Sequence, residues 1–198
     1  MFRNKNPQIE KPRHVVMHLK TTGLKPEEGD RITQLACVEM KDGQLTGNNL
    51  DLHIKPGQSF ADAQQQLLSY LAQDKDTRII VHYKKFVLDF LRSDMSAEGV
   101  EQLNGYKMEN MISKVAKLGH QGKYHAGLYP KEINKDSDRL EEGKTRKTFN
   151  DVCEELDVHT RTRTGKSAMQ DADMLARAER NRLMRKSEGA QSSVSLRR

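Results

Sequence analysis

Apolar residues fall in short blocks whose spacing switches between the strand and the helix period. Residues 14–18, with Val15-Val16-Met17 at their centre, form a nearly unbroken apolar run, as a strand covered on both faces requires. Ile32 to Met40 reads as a second strand, and Lys41-Asp42-Gly43-Gln44 carries the Asp-Gly signal of a tight hairpin. Leu45 to Ile54 returns as a third strand that Lys55-Pro56-Gly57 ends. Phe60, Ala63, Leu67, Leu68 and Leu71 then follow helical spacing. Arg78 to His82 is a short apolar strand, and Phe86, Phe90 and Leu91 place a helix behind it. Met108, Met111, Ile112, Val115 and Leu118 make another helical stripe.

Residues 119–147 are rich in Gly, Lys, Asp and Glu and poor in aliphatics, which reads as an exposed insertion. Phe149, Val152, Cys153 and Leu156 restore a helix, and Ser167 is placed to cap the last one, through Met174 and Leu175 to about Met184. From Ser187 the periodicity lapses and a disordered tail, 187–198, is expected. The order β-β-β-α-β-α-α-α predicts an α/β domain, a mixed sheet flanked by helices.

The 198 residues suffice for one domain with a core and two tails. Of the net charge of +6, residues 1–13 carry +3 and residues 177–198 carry +5, which leaves the stretch between them slightly acidic. The body of the chain is therefore no basic nucleic-acid platform. Its basic arm, 1–13, and its basic end could steer it toward DNA or an acidic protein. No apolar run approaches the roughly 20 residues that cross a bilayer, and Met1 to Arg13 lacks the apolar core of a signal peptide. Cytoplasmic residence without a membrane partner is expected. Cys37 and Cys153 sit in apolar patterns without CxxC spacing and read as reduced core residues.

The candidate chemistry begins where the first strand ends, at His18-Leu19-Lys20-Thr21-Thr22-Gly23. This segment resembles the first motif of the DEDD (DnaQ-like) 3′–5′ exonucleases, Asp-x-Glu-Thr-Thr-Gly, with both carboxylates replaced. Gln44 to Leu50 and Ile54-Lys55-Pro56 are similar to the third strand of the proofreading (epsilon) subunit of bacterial DNA polymerase III. Ile79 to Val87 resembles that family's second motif, an Asn-x-x-Phe-Asp run. Arg163 to Ala172 resembles its third, in which a His precedes an Asp by five residues. The resemblance spans roughly residues 13–185. It implies a ribonuclease-H-like exonuclease fold over 14–186, with 119–147 inserted.

That family's chemistry uses four carboxylates to hold two divalent metals about 3.5–4 Å apart and a His as general base. Carried onto this chain, the first Asp falls on His18, the Glu on Lys20, the second-motif Asp on Val87 and the His on Lys166; of the four carboxylates only Asp171 is retained. Hard cations need oxygen ligands, so no cofactor is expected, and Mg²⁺ or Mn²⁺ would enter only through an altered, still active site. His18, Lys20, Val87 and Asp171 sum to about zero charge without metal, which predicts an ion pair between Lys20 and Asp171. Asp89 lies two residues past Val87, about 200° around a helix, and should face elsewhere. His18, His82 and Asp171 could ligate a transition metal such as Zn²⁺, but the histidines lack metal-site spacing and a structural role is the reading adopted. Thr21, Thr22, Gly23 and Tyr83 are the candidates for nucleic-acid contact, single-stranded DNA above all, although aromatic residues for stacking are few.

Gln191-Ser192-Ser193-Val194-Ser195-Leu196 resembles the sliding-clamp-binding peptide that follows the epsilon exonuclease domain, with Gln191 as the hydrogen-bonding residue and Val194 and Leu196 as plugs. The sequence stops at Arg198 without that family's long polymerase-binding extension, so a stable place in the polymerase core is not expected. The expectation is a catalytically inactive exonuclease-like protein that acts by binding in DNA replication or repair. The alternative is an active metal-dependent exonuclease with an altered site.

Overall fold

The computed structural model describes residues 12–118, 149–158 and 167–195. In chain order these form β1 (His14–Thr21), β2 (Ile32–Lys41), β3 (Gln44–His53), α1 (Ala61–Leu71), β4 (Arg78–Val81), α2 (Lys84–Asp94), α3 (Ala97–Asn104), β5 (Lys107–Asn110), α4 (Met111–Leu118), α5 (Phe149–Glu155) and α6 (Ala168–Ser195). The strands make one mixed sheet in the order β3-β2-β1-β4-β5. β1 is antiparallel to β2 and parallel to β4, and β4 is parallel to β5. The β2–β3 hairpin turns at Asp42 and Gly43, with φ of 52° and 79°, the pair of positive φ values that a type I′ turn requires.

Successive side chains of β1 point to opposite faces. Val15, Met17 and Leu19 join Leu35, Ile79 and Val81 in a core that α1, α2 and α3 cover. Val16 joins Ala36, Val38, Met40 and Ile80 in a second core under α4, α5 and α6. A strand apolar on both faces is thus the centre of a three-layer α/β domain, the mixed sheet flanked by helices that the pattern predicts. Among the described residues no helix is long and apolar enough to cross a membrane.

Three expectations need correction. Met108 belongs to β5 and the first core, whereas Met111 and Val115 lie on α4 in the second; a four-residue strand with one apolar residue is too short to show its period. Helix α3 has only Val100 and Leu103 to mark it, and its start is fixed by Ser96, whose hydroxyl accepts from the Gly99 amide at 3.1 Å. The final helix runs to Ser195, past the end expected near Met184 and into the stretch read as disordered tail. Residues 185–195 hold four serines, Gly189 and Val194 beside Arg, Lys, Glu, Ala and Gln. Their propensity is mixed and they show no apolar stripe, so no signal in the sequence marks the continuation. The insertion 119–147 and most of the basic arm lie outside the described residues.

Arg13, counted above with the basic arm, is part of the folded domain at 1 % exposure. Its guanidinium pairs with buried Glu39 and donates to the carbonyl of Tyr70 (3.0 Å) and to Thr77 Oγ1 (3.2 Å). It also stacks over the Tyr70 ring, 4.6 Å from the centroid. Thr46 Oγ1 donates to the other Glu39 oxygen at 2.6 Å. Removing Arg13 leaves the buried Glu39 carboxylate only Thr46 and, at 3.9 Å, the exposed Lys41 among the described residues, so Arg13→Ala is expected to cost about 3 kcal/mol in urea unfolding. The double variant Arg13→Met/Glu39→Leu should recover much of that loss.

Candidate functional site

The site forms where the carboxyl end of β1 meets the start of α6. His18 and Lys20 share the face of β1 that carries Val16, because residues two apart lie on one face. Lys20 is in register with Gln34 of β2. Gln34 Oε1 accepts the Ala168 amide at 2.9 Å, which fixes the first residue of α6 beside Lys20. Ser167 Oγ accepts the Gln170 amide at 3.2 Å, the cap expected of it. Asp171 follows within the first turn, where the helix N-terminus favours a negative charge. It is 2 % exposed.

Lys20 Nζ lies 2.6 Å from Asp171 Oδ2, the expected ion pair, and His18 Nε2 lies 3.4 Å from the same oxygen. Phe149, at the start of α5, packs edge-on against His18 (5.4 Å, 71°) and against His82 just past β4 (5.5 Å, 76°). Burial is the main cause that holds the His18 imidazole below its ordinary value, at about 4. Asp171 raises it, and Lys20 and His82 lower it further. His18 is therefore neutral near pH 7, and the cluster carries one ammonium against one carboxylate.

A cavity of about 380 Å³ opens beside this cluster, lined among others by His18, Lys20, Thr21, Tyr83, Phe86 and Val87. Val87, on α2, is 5 % exposed and brings a methyl surface to the position that resembles an acidic one. Asp89 pairs with Lys85 at 2.9 Å on the exposed side of the same helix and does not substitute for it.

The Thr21-Thr22-Gly23 turn is held from within. Thr21 Oγ1 donates to the Gly23 carbonyl at 2.5 Å, and Thr22 Oγ1 donates to Asp30 Oδ1 at 3.0 Å. A Cβ at position 23 would meet the Asp30 carboxylate, so a side chain there must push that carboxylate off its bonds to Thr22 and the Lys25 amide. Of the residues expected to touch nucleic acid, Thr21 and Tyr83 line the cavity, and Thr22 and Gly23 do not. Lys166 and Leu196 lie outside the described residues, and Gln191 and Val194 are on the helical backbone of α6. Sequence reasoning did not single out Gln34, Asp30 or the wedge made by Phe149. The first two bear no motif, and Phe149 carries the same apolar signal as any core residue.

A two-metal centre does not fit these residues. The one carboxylate among these residues gives its Oδ2 to an ammonium, the neighbouring base is a half-buried neutral imidazole, and Val87 offers no donor. Among the described residues no group of three or more His, Cys, Asp or Glu could hold a metal ion.

No family model matches the chain. It is 26 % identical over 120 residues to DNA polymerase III subunit epsilon of Rickettsia felis, covering 50 % of this chain and 52 % of that protein. It is 28 % identical over 104 residues to the subunit of the same name from Rickettsia conorii, covering 42 % and 44 %. A 59-residue stretch is 37 % identical to the 3′–5′ exonuclease DinG of Bacillus subtilis, covering 30 % of this chain and 6 % of that protein. The chain spans about half the length of the first epsilon relative. Among solved structures it resembles the crystal structure of cell-death related nuclease 4 (CRN-4), with TM-score 0.53 and 12 % identity, over 87 % of this chain and 64 % of that one.

That likeness and the mixed five-stranded sheet define a ribonuclease-H-like α/β fold. In sequence the likeness to DnaQ-like exonucleases is carried by the epsilon and DinG relatives, and the solved nuclease adds the fold alone.

A base whose folded value lies below 6.5 stays neutral in the folded protein while the unfolded chain takes up the proton. Its stabilisation is full above about pH 6.5 and is lost as pH falls toward 4. An NMR titration of the His18 ring should therefore show a midpoint near 4, and Asp171→Asn should lower it further by removing the one nearby charge that raises it. A midpoint above 6.5 would mean that Asp171 holds an imidazolium.

Proposed function

We propose that this chain is a non-hydrolytic exonuclease-like protein that acts by binding in DNA replication or repair. The observation that carries this reading is Lys20 Nζ, 2.6 Å from the buried Asp171 carboxylate. Hydrolysis in the family requires that oxygen to hold a divalent metal, and here an ammonium occupies it. The general-base position is a lysine, Lys166, and an ammonium cannot accept a proton from water near neutral pH.

The ligand that suits the cavity is a single-stranded DNA end. Tyr83 and Phe86 offer stacking surface and Thr21 a hydroxyl, beside a Lys20–Asp171 pair that adds no net charge, in a volume of about 380 Å³. The name of the epsilon relatives supports a polymerase III component as the protein partner, and the clamp-like peptide at 191–196 supports the sliding clamp. Engagement through Gln191, Val194 and Leu196 as an extended peptide requires the end of α6 to unwind.

Digestion of labelled single-stranded and mismatched duplex DNA in Mg²⁺ or Mn²⁺ should not exceed that of an Asp171→Ala control. Activity that disappears in Asp171→Ala would overturn the proposal in favour of an altered metal site. In fluorescence anisotropy, single-stranded DNA should bind with a salt-dependent affinity that Tyr83→Ala weakens about tenfold, from the loss of one stacking surface. Clamp binding, if present, should vanish on deletion of residues 187–198 while DNA binding persists.

A further inference from the structure

We infer that Lys20 is a tethered counter-cation: it does for the buried Asp171 what divalent metal does for the acidic cluster of the family, and it pins the start of α6 to β1 without any ion from solution. The inference rests on the non-hydrolytic reading above and concerns how the site is held together.

A carboxylate at 2 % exposure needs a cation close by, because burial without one carries a large desolvation penalty. Among the described residues two groups stand close enough to meet that need. His18 is 3.4 Å from Oδ2 but neutral near pH 7, under the Phe149 ring. Lys20 is 2.6 Å from Oδ2, and its side chain retains 26 % exposure. The ammonium therefore keeps part of its hydration while neutralising the acid, which is the less costly half of the arrangement to leave partly wet. The position is set twice over, since Gln34, in register with Lys20, also accepts the first amide of α6. Strand register and helix start thus bring the cation and the anion together before either side chain chooses a rotamer.

Two consequences follow that a merely decorative surface pair would not produce. The parent protein has no unmet carboxylate here for metal to stabilise, and reversing the charge at position 20 recreates an acidic pair that does call for one. Thermal unfolding of the full chain, read by circular dichroism with Mn²⁺ alone or with EDTA, tests both. The parent melting temperature should be the same in Mn²⁺ and EDTA. Lys20→Met should lower it by about 6–20 °C, and Lys20→Arg should stay within about 2 °C of the parent because it keeps the cation. Lys20→Glu should melt lowest in EDTA and recover in Mn²⁺.

Lys20→Met as stable as the parent, or Lys20→Glu unchanged by Mn²⁺, would overturn the inference while leaving the non-hydrolytic reading to the digestion assay. If Lys20→Glu does not fold in EDTA, the Lys20→Met and Lys20→Arg pair still decides whether charge or shape is the cause. A parent protein stabilised by Mn²⁺ through Asp171, with the effect gone in Asp171→Asn, would overturn both readings at once.

Discussion

The alternation of side chains along β1 is the constraint on which the rest of the structure depends. One strand must satisfy two cores, so every odd residue from Val15 to Leu19 is committed to the α1–α3 layer. The even residues face the layer that α6 covers, and Val16 sits in that core. His18 and Lys20 continue this even row past the apolar part of the strand. They meet the first turn of α6 because Gln34 tethers its first amide at that level. A one-residue slip in the pairing of β1 with β2 would exchange the two rows, bury charge in the first core and separate Lys20 from Asp171. The site is therefore a product of sheet register as much as of residue identity.

The electrostatics repeat one device in three places. Glu39, Asp171 and Glu179 are the buried acids of the described residues, at 3 %, 2 % and 0 % exposure. Each is met by a cation of the chain itself: Arg13 for Glu39, Lys20 for Asp171, and Lys114 (2.8 Å) with Arg182 (2.6 Å) for Glu179. In the first and third cases the acid ties elements distant in sequence, β2 to the chain before β1 and α6 to α4. The pair at Asp171 does the same for α6 and β1. That common logic sets Lys20 beside Arg13 and Lys114, since the protein treats this carboxylate as it treats its structural ones.

The sequence made legible the elements with a strong period and the residues with a motif. β1, the β2–β3 hairpin, α1 and α2 followed from apolar spacing and from Asp42-Gly43, because each buries a full face or needs a special turn. The convergence of His18, Lys20, Val87 and Asp171 was legible only through the resemblance, for no local pattern joins residues up to 153 positions apart. β5 and α3 were hidden because each offers one or two apolar residues. The extension of α6 to Ser195 was hidden because a helix polar on all sides has no stripe. Phe149 was readable as core, but its place between two imidazoles depends on the packing of α5 against the sheet and leaves no trace in spacing.

The retained Thr21-Thr22-Gly23 turn bears on how much a preserved motif says about preserved function. Its hydroxyls are engaged by the Gly23 carbonyl and by Asp30, and Asp30 also accepts the Lys25 amide at 2.9 Å. Those bonds close the loop that carries the chain from β1 to β2, and Thr22 and Arg31 further pair their backbones at 2.9 Å. A Cβ at Gly23 would disrupt this closure whether or not any ligand binds nearby. The turn therefore has a structural reason for its residues that is independent of any carboxylate on the strand before it. Thr21, which also lines the cavity, is the one member whose identity answers to both demands. The turn thus answers first to the passage from β1 to β2, and the question of function passes to the Lys20–Asp171 pair and to the cavity wall that Lys20 shares with Tyr83.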